Sequence, residues 1–220
     1  MGDTAAFVNN RLIFPANEII LSASSAAVWQ APSPIIPPYP IDQQIHTLKQ
    51  IASIILALAP DRGFAPLLVP LLNLPLSGPL SAEQTAVLSI LQTLRQAVRA
   101  HDVPAMQECI NQLLGRGSGL TPAGDDCVLG LLLMLNRWQA NKDWCKLNRA
   151  IIDAAYHKTT IISANLIECA AAGEADERLL KVADGVATGS ASINECVECV
   201  LGWGSSSGID ALIGMALASS

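Results

Sequence analysis

The sequence predicts an α+β protein, predominantly α, in which a helical bundle carries a small N-terminal β element. Three observations predict it. The first forty residues contain short β-prone runs followed by a proline-rich stretch. From Ile41 onward apolar residues recur at helical spacing. Caps, prolines and glycines then cut that part of the chain into successive helices. The expected division is 1–40 for the β element and its proline arm, and 41–220 for a helical domain.

Phe7–Phe14 and Glu18–Ser24 are β-prone, with turn chemistry at Pro15-Ala16-Asn17 and a third short strand expected at Val28 and Trp29. Pro32, Pro34, Pro37, Pro38 and Pro40 then read as a stiff extended arm. Ile41, Ile45, Leu48, Ile51, Ile55 and Leu58 share one helical face. The stretch Pro60–Leu80 is broken by prolines and reads as loops with at most one helical turn. Ser81-Ala82-Glu83-Gln84 is a capping box that opens a helix reaching Ala100. Asp102-Val103-Pro104 caps the next helix, which Gly115 ends. Further helices fit Pro122–Ala140, Trp144–His157, Ser163–Ala172, Asp176–Asp184, Ser190–Leu201 and Ile209–Ala218.

Composition narrows the function classes. Of 220 residues, 51% are hydrophobic and only 15% charged, so the chain can bury a large aliphatic core. A mean hydropathy of +0.39 also predicts apolar surface covered in an oligomer. The net charge of −6 and the lack of a basic stripe argue against nucleic-acid or anionic-membrane partners. No signal peptide or membrane-length apolar run is seen, which predicts a cytoplasmic protein with reduced thiols. Cys196 and Cys199 form a lone C-x-x-C without the second half a zinc site needs.

The candidate centre is Gly115–Asp126, reading GRGSGLTPAGDD. Gly115, Gly117 and Gly119 alternate, so backbone N–H groups can line one concavity that suits an anion. Thr121 before Pro122 reads as a hydroxyl N-cap, and the helix N-terminus adds partial positive charge. Gly115, Arg116, Gly117, Ser118, Gly119, Thr121 and Gly124 are therefore candidate substrate-binding residues. Asp125 and Asp126 follow in the first helical turn. Two carboxylates there would repel a bare phosphate. Either a magnesium ion held by carboxylates offsets them, or the ligand brings N–H groups to them.

The C-terminal part repeats the pattern. Gly124-Asp125-Asp126-Cys127-Val128-Leu129-Gly130 and Gly208-Ile209-Asp210-Ala211-Leu212-Ile213-Gly214 both fit G-x-D-x-x-x-G. Ser206 and Ser207 stand before the second copy as Thr121 stands before the first. The expectation is that the two helix N-termini converge, making Asp125, Asp126 and Asp210 the catalytic carboxyls and the ligands of any magnesium. Gly130 and Gly214, costly inside helices, would mark a close approach. Gly208 joins the substrate-binding set. Thr159, Thr160 and Ser163 read either as helix caps or as further hydroxyls for the same pocket.

Three blocks, GRGSGLTPAGDDCVLG, TTIISANLIECAAAGE and GWGSSSGIDALIG, resemble the AllH-type subunit of oxamate carbamoyltransferase. They run in family order from Gly115 to Gly214. The part through Ala100 resembles the family only loosely. The resemblance implies a role in allantoin and purine-nitrogen breakdown. There oxalurate and phosphate yield oxamate and carbamoyl phosphate, with several different subunits required. Carbamoyl phosphate would offer oxygens to the N–H nest and an amide to Asp125 or Asp126. Two other readings stay open. One is a magnesium-dependent hydrolase or phosphotransferase using the paired aspartates. The other is a noncatalytic assembly or ligand-sensing protein.

Overall fold

The computed structural model describes residues 5–15, 18–25, 27, 29–34, 38–75, 78–138 and 142–219. Two compact units result, Met1–Pro32 and Ser33–Ser220.

The first unit is an antiparallel meander of β1 (Ala6–Val8), β2 (Arg11–Phe14) and β3 (Ile19–Ser22) in the order β1-β2-β3. The expected run Phe7–Phe14 is split. Val8 pairs with Arg11, so Asn9 and Asn10 form a two-residue turn with φ of 50° and 57°. Asparagine tolerates this left-handed geometry, which matches the twist of a hairpin. Ala16, Asn17, Val28 and Pro37, named in the expected turn, strand and arm, lie outside the described residues. Trp29 belongs to no strand.

The second unit contains ten α-helices among the described residues. They are α1 (Ile41–Leu58), α2 (Leu68–Leu72), α3 (Ala82–Arg99), α4 (Val103–Leu113), α5 (Ala123–Arg137), α6 (Lys142–Lys158), α7 (Ile161–Ala171), α8 (Glu177–Thr188), α9 (Ile193–Gly202) and α10 (Ser207–Ala218). A 3-10 turn at Ala65–Leu67 leads into α2. The caps follow local chemistry. Ser81 accepts from Gln84 N at 3.1 Å while Gln84 Oε1 accepts from Ser81 N at 2.9 Å. Asp102 caps α4, Asp176 caps α8, and Ser192 with Glu195 makes a second capping box on α9.

α5 and α10 form the centre. Every residue from Gly124 to Leu133 is buried, as is every residue from Gly208 to Leu217. Such all-round apolarity is the mark of a core helix. Each large aliphatic side chain fully buried there contributes about 1.5–3 kcal/mol. The two helices touch backbone to backbone. A Cβ on Gly130 would lie 1.9 Å from the Ala211 carbonyl oxygen, and one on Gly214 would lie 1.9 Å from the Cys127 carbonyl oxygen. The helix-interior glycines thus mark the close approach expected of them. α7 packs on α5, while α9, α3, α2 and α1 pack on α10. At the far end of α5, Arg137 pairs with both carboxylate oxygens of Asp184 on α8, at 2.5 and 2.8 Å.

Candidate functional site

The parallel packing of two G-x-D-x-x-x-G segments brings the first turns of α5 and α10 together. Thr121 Oγ1 and Ser207 Oγ lie 3.1 Å apart, one from each helix start. Both hydroxyls lie near the Asp126 carboxyl and favour its ionised form. Asp126 and Asp210 are 1% and 0% exposed, and an Asp210 charge acts directly on Asp126. The expected convergence is therefore present in the fold.

One cap differs from expectation. Pro122, with φ −55° and ψ 143°, takes the N-cap position of α5, and no side chain caps that helix. The extended ψ of Pro122 moves the helix start one residue on. Thr121 is thereby left to reach across to Ser207 rather than back to its own helix.

The three aspartates have different surroundings. Asp125 is fully engaged. Its Oδ1 accepts from Gly115 N at 2.7 Å, and its Oδ2 accepts from the Thr159 hydroxyl. It ties the glycine loop to the end of α6. Asp210 Oδ1 accepts from Phe64 N at 2.7 Å, and the nearby Ser206 side chain favours its ionised form. Asp126 Oδ2 and Asp210 Oδ2 are buried without a hydrogen-bond partner.

Burial dominates their ionisation. The Asp126 carboxyl is pushed up to about 8: burial is the largest cause, the Asp210 and Asp125 charges add to it, and the Ser207 and Thr121 hydroxyls oppose it. Burial likewise raises Asp210 to about 7, against the lowering effect of Phe64 N–H and Ser206. The like-charge conflict anticipated for the helix start is thus eased by protonation. Burial therefore favours the protonated form of Asp126. Among the described residues, no three His, Cys, Asp or Glu side chains are gathered so as to hold a metal ion.

The loop residues divide between scaffold and surface. Gly115, Gly117 and Gly119 have φ of 76°, 118° and 95°. Gly115 N is bound to Asp125, and Arg116 N donates to Leu113 O at 2.9 Å. Gly117, Ser118 and Gly119 are exposed. Arg116 is half-buried, with Nε donating to Gln112 O at 3.2 Å. Gly124 and Gly208 are buried, and their N–H groups donate to Arg116 O and Trp203 O. Lys158, beside this loop, is held by Asn111 through its Nζ.

Thr159, Thr160 and Ser163 act on the same loop. Thr160 caps α7 and also donates to Leu120 O at 2.6 Å. Ser163 Oγ lies 3.4 Å from the same carbonyl. The cap reading holds for Thr160, and the Thr160 and Ser163 hydroxyls also reach the loop at Leu120 O. Thr121, Ser206 and Ser207 are half-exposed and lie next to the buried carboxyls.

The sequence reading missed one wall. Gly63 has φ 52°, and a Cβ there would lie 2.5 Å from Asp210 Oδ2 and 2.7 Å from Ser206 Cβ. Phe64 supplies the N–H on Asp210. The only local signal was a glycine in Asp61-Arg62-Gly63-Phe64, and its meaning depends on a partner 146 positions away.

Fold and cluster together define a mainly helical protein with a buried polar cluster at two paired helix N-termini. Residues 113–219 match the family model described as oxamate carbamoyltransferase subunit AllH. No curated protein and no solved structure matches the chain. The matched segment carries α5 through α10 and all three aspartates, but not Gly63 and Phe64. No helix among the described residues is long and apolar enough to cross a membrane.

Proposed function

We propose that this chain is a cytoplasmic subunit of a carbamoyltransferase of the oxamate type, and that the α5/α10 cluster binds the carbamoyl-bearing small metabolite. The observation carrying this reading is the pair of buried oxygens, Asp126 Oδ2 and Asp210 Oδ2, that lack a hydrogen-bond partner among the described residues. A buried polar atom left unpaired is costly, and a ligand that pairs it regains that cost. A carbamoyl group has both complements. Its NH₂ donates to an ionised carboxylate, and its carbonyl accepts from a carboxylic acid or hydroxyl.

The two carboxyls suit different roles. In carbamoyl transfer from oxalurate to phosphate, a phosphate oxygen attacks the carbamoyl carbon and the C–N bond to oxamate breaks. The leaving nitrogen needs a proton. Asp126, whose protonated form burial favours, supplies it. Asp210 receives the carbamoyl NH₂. The helix N-termini and the Thr121, Ser206 and Ser207 hydroxyls stabilise the oxyanion that develops on attack. Arg116, Ser118 and the exposed N–H groups of Gly117 and Gly119 take the phosphate. Other carbamoyltransferase subunits complete the enzyme, and the working form is an oligomer.

The test combines melting and turnover. Oxalurate or carbamoyl phosphate at about 100 times Kd should stabilise the chain by about 2.7 kcal/mol without magnesium. In the complete enzyme, Asp126→Asn should keep binding but lower kcat by about 10²- to 10⁴-fold. Stabilisation by magnesium alone, abolished in Asp126→Asn, would replace this reading with the metal-dependent one. Indifference to every small ligand, with the partner subunits still binding, would leave an assembly role.

A further inference from the structure

Two consecutive threonines at one corner of the fold grip both ends of the glycine loop. Thr159 closes α6, its N–H donating to Ala155 O at 3.0 Å, and Thr160 opens α7 as its N-cap. At the near end of the loop, the Thr159 hydroxyl donates to Asp125 Oδ2, and Gly115 N–H donates to Asp125 Oδ1 at 2.7 Å. At the far end, the Thr160 hydroxyl donates to Leu120 O at 2.6 Å. Gly115 can lie against the end of α6 because it has no side chain. A Cβ there would be 2.6 Å from Lys158 O.

Between these two grips the backbone donors are free. Gly117, Ser118 and Gly119 are exposed, and their N–H groups donate no hydrogen bond among the described residues. A segment with two glycines and no internal bonds loses much conformational freedom when a ligand orders it. Fixing its ends beforehand removes part of that cost and raises affinity. Asp125 is placed for this work. It is 1% exposed, and each of its oxygens is already taken, one by the loop and one by Thr159. Asp126, the next residue, keeps an oxygen unpaired.

We infer that Asp125 is a positioning residue: joined to Thr159, it holds the glycine loop in the form that receives phosphate, through its hydrogen bonds and not its charge. The inference rests on the reading that this loop takes the phosphate. An amide in place of the carboxyl can keep both bonds. Its oxygen accepts from Gly115 N–H, and its NH₂ donates to Thr159 Oγ1.

Four variants separate the roles. Asp125→Ala removes both bonds, and Thr159→Val removes one at nearly constant volume. Asp125→Asn and Thr159→Ser keep them. In the complete enzyme, turning over oxalurate and phosphate, Asp125→Ala should raise KM for phosphate about tenfold or more, and Thr159→Val about three- to tenfold. In both, kcat and the oxalurate KM should stay within about threefold of the wild type. Asp125→Asn and Thr159→Ser should keep all three constants within about threefold.

A second measurement needs no turnover. The ¹H–¹⁵N heteronuclear NOE of the Gly117 and Gly119 amides is read on the full chain without ligand, at a temperature where circular dichroism shows each variant folded. It should fall in Asp125→Ala and Thr159→Val and hold in Asp125→Asn and Thr159→Ser. Thr159→Val, the milder change, carries the test alone if Asp125→Ala does not fold. An unmoved NOE in Thr159→Val overturns the inference. So does a loss of kcat of about a hundredfold or more in Asp125→Asn, which would give the carboxyl a chemical role. Loss of loop order with an unmoved phosphate KM leaves Asp125 as the positioning residue and removes the phosphate from the loop.

Discussion

Asp125 and Asp126 are neighbours in the chain, yet the fold gives them different work. Asp125 is consumed by Gly115 N–H and the Thr159 hydroxyl. Asp126 keeps an unpaired oxygen beside Asp210. Adjacent residues on a helix point about 100° apart, so one side chain turns to the loop and the next to α10. A pH prediction belongs at this scale. The folded Asp126 carboxyl ionises near 8 and Asp210 near 7, whereas unfolded aspartates ionise near 4. The folded state therefore binds more protons between those values. This stabilisation is complete below about pH 4 and is lost as pH rises through about 8. Urea midpoints should fall between pH 5 and pH 8.5. Asp126→Asn should flatten that fall and be the more stable protein at pH 8.5. Identical pH dependence in the two proteins would show that Asp126 ionises normally.

At the scale of elements, the α5/α10 pair was legible because its two halves repeat. Glycines at matching positions of two apolar helices have a simple reading, since each removes the Cβ that would hold the backbones apart. Propensity and packing predict opposite signs for replacing them. Alanine inside a helix gains about 1 kcal/mol over glycine. Against this, the new methyl at Gly130 or Gly214 would sit 1.9 Å from a partner carbonyl oxygen. Overpacking costs about 1–3 kcal/mol and more where backbone must move. Gly130→Ala and Gly214→Ala should each lower stability by about 2–3 kcal/mol, read as a shift in the denaturant midpoint at unchanged slope. A gain in stability from either would show that the helices are farther apart. The less legible elements failed for local reasons. The Asn9-Asn10 turn was hidden inside a continuous β-prone run, and the start of α5 slid because Pro122 adopts an extended ψ.

At the scale of the molecule, the family match and the candidate site do not share a boundary. Residues 113–219 carry the aspartates, the glycine loop and the hydroxyls. The wall on Asp210 comes from Gly63 and Phe64. Helices α1, α2 and α3 also cover α10, whose residues Gly208–Leu217 are all buried. None of this could be read from the sequence near Asp61-Arg62-Gly63-Phe64, because a tertiary contact leaves no periodicity. The consequence is a prediction about independence. A fragment spanning 113–220 would expose the face of α10 that α1, α2 and α3 cover in the chain. It would also leave Asp210 Oδ1 without the Phe64 N–H. Exposed apolar surface of that extent and a further unpaired buried carboxyl both oppose folding. The fragment should keep far-ultraviolet helical signal, lose a cooperative thermal transition, and bind hydrophobic dye. Adding residues 41–112 as a separate chain should restore the transition. A cooperative melt of the fragment alone would mean that the matched segment is self-sufficient and that the Gly63–Phe64 wall is an addition to the site rather than part of its construction.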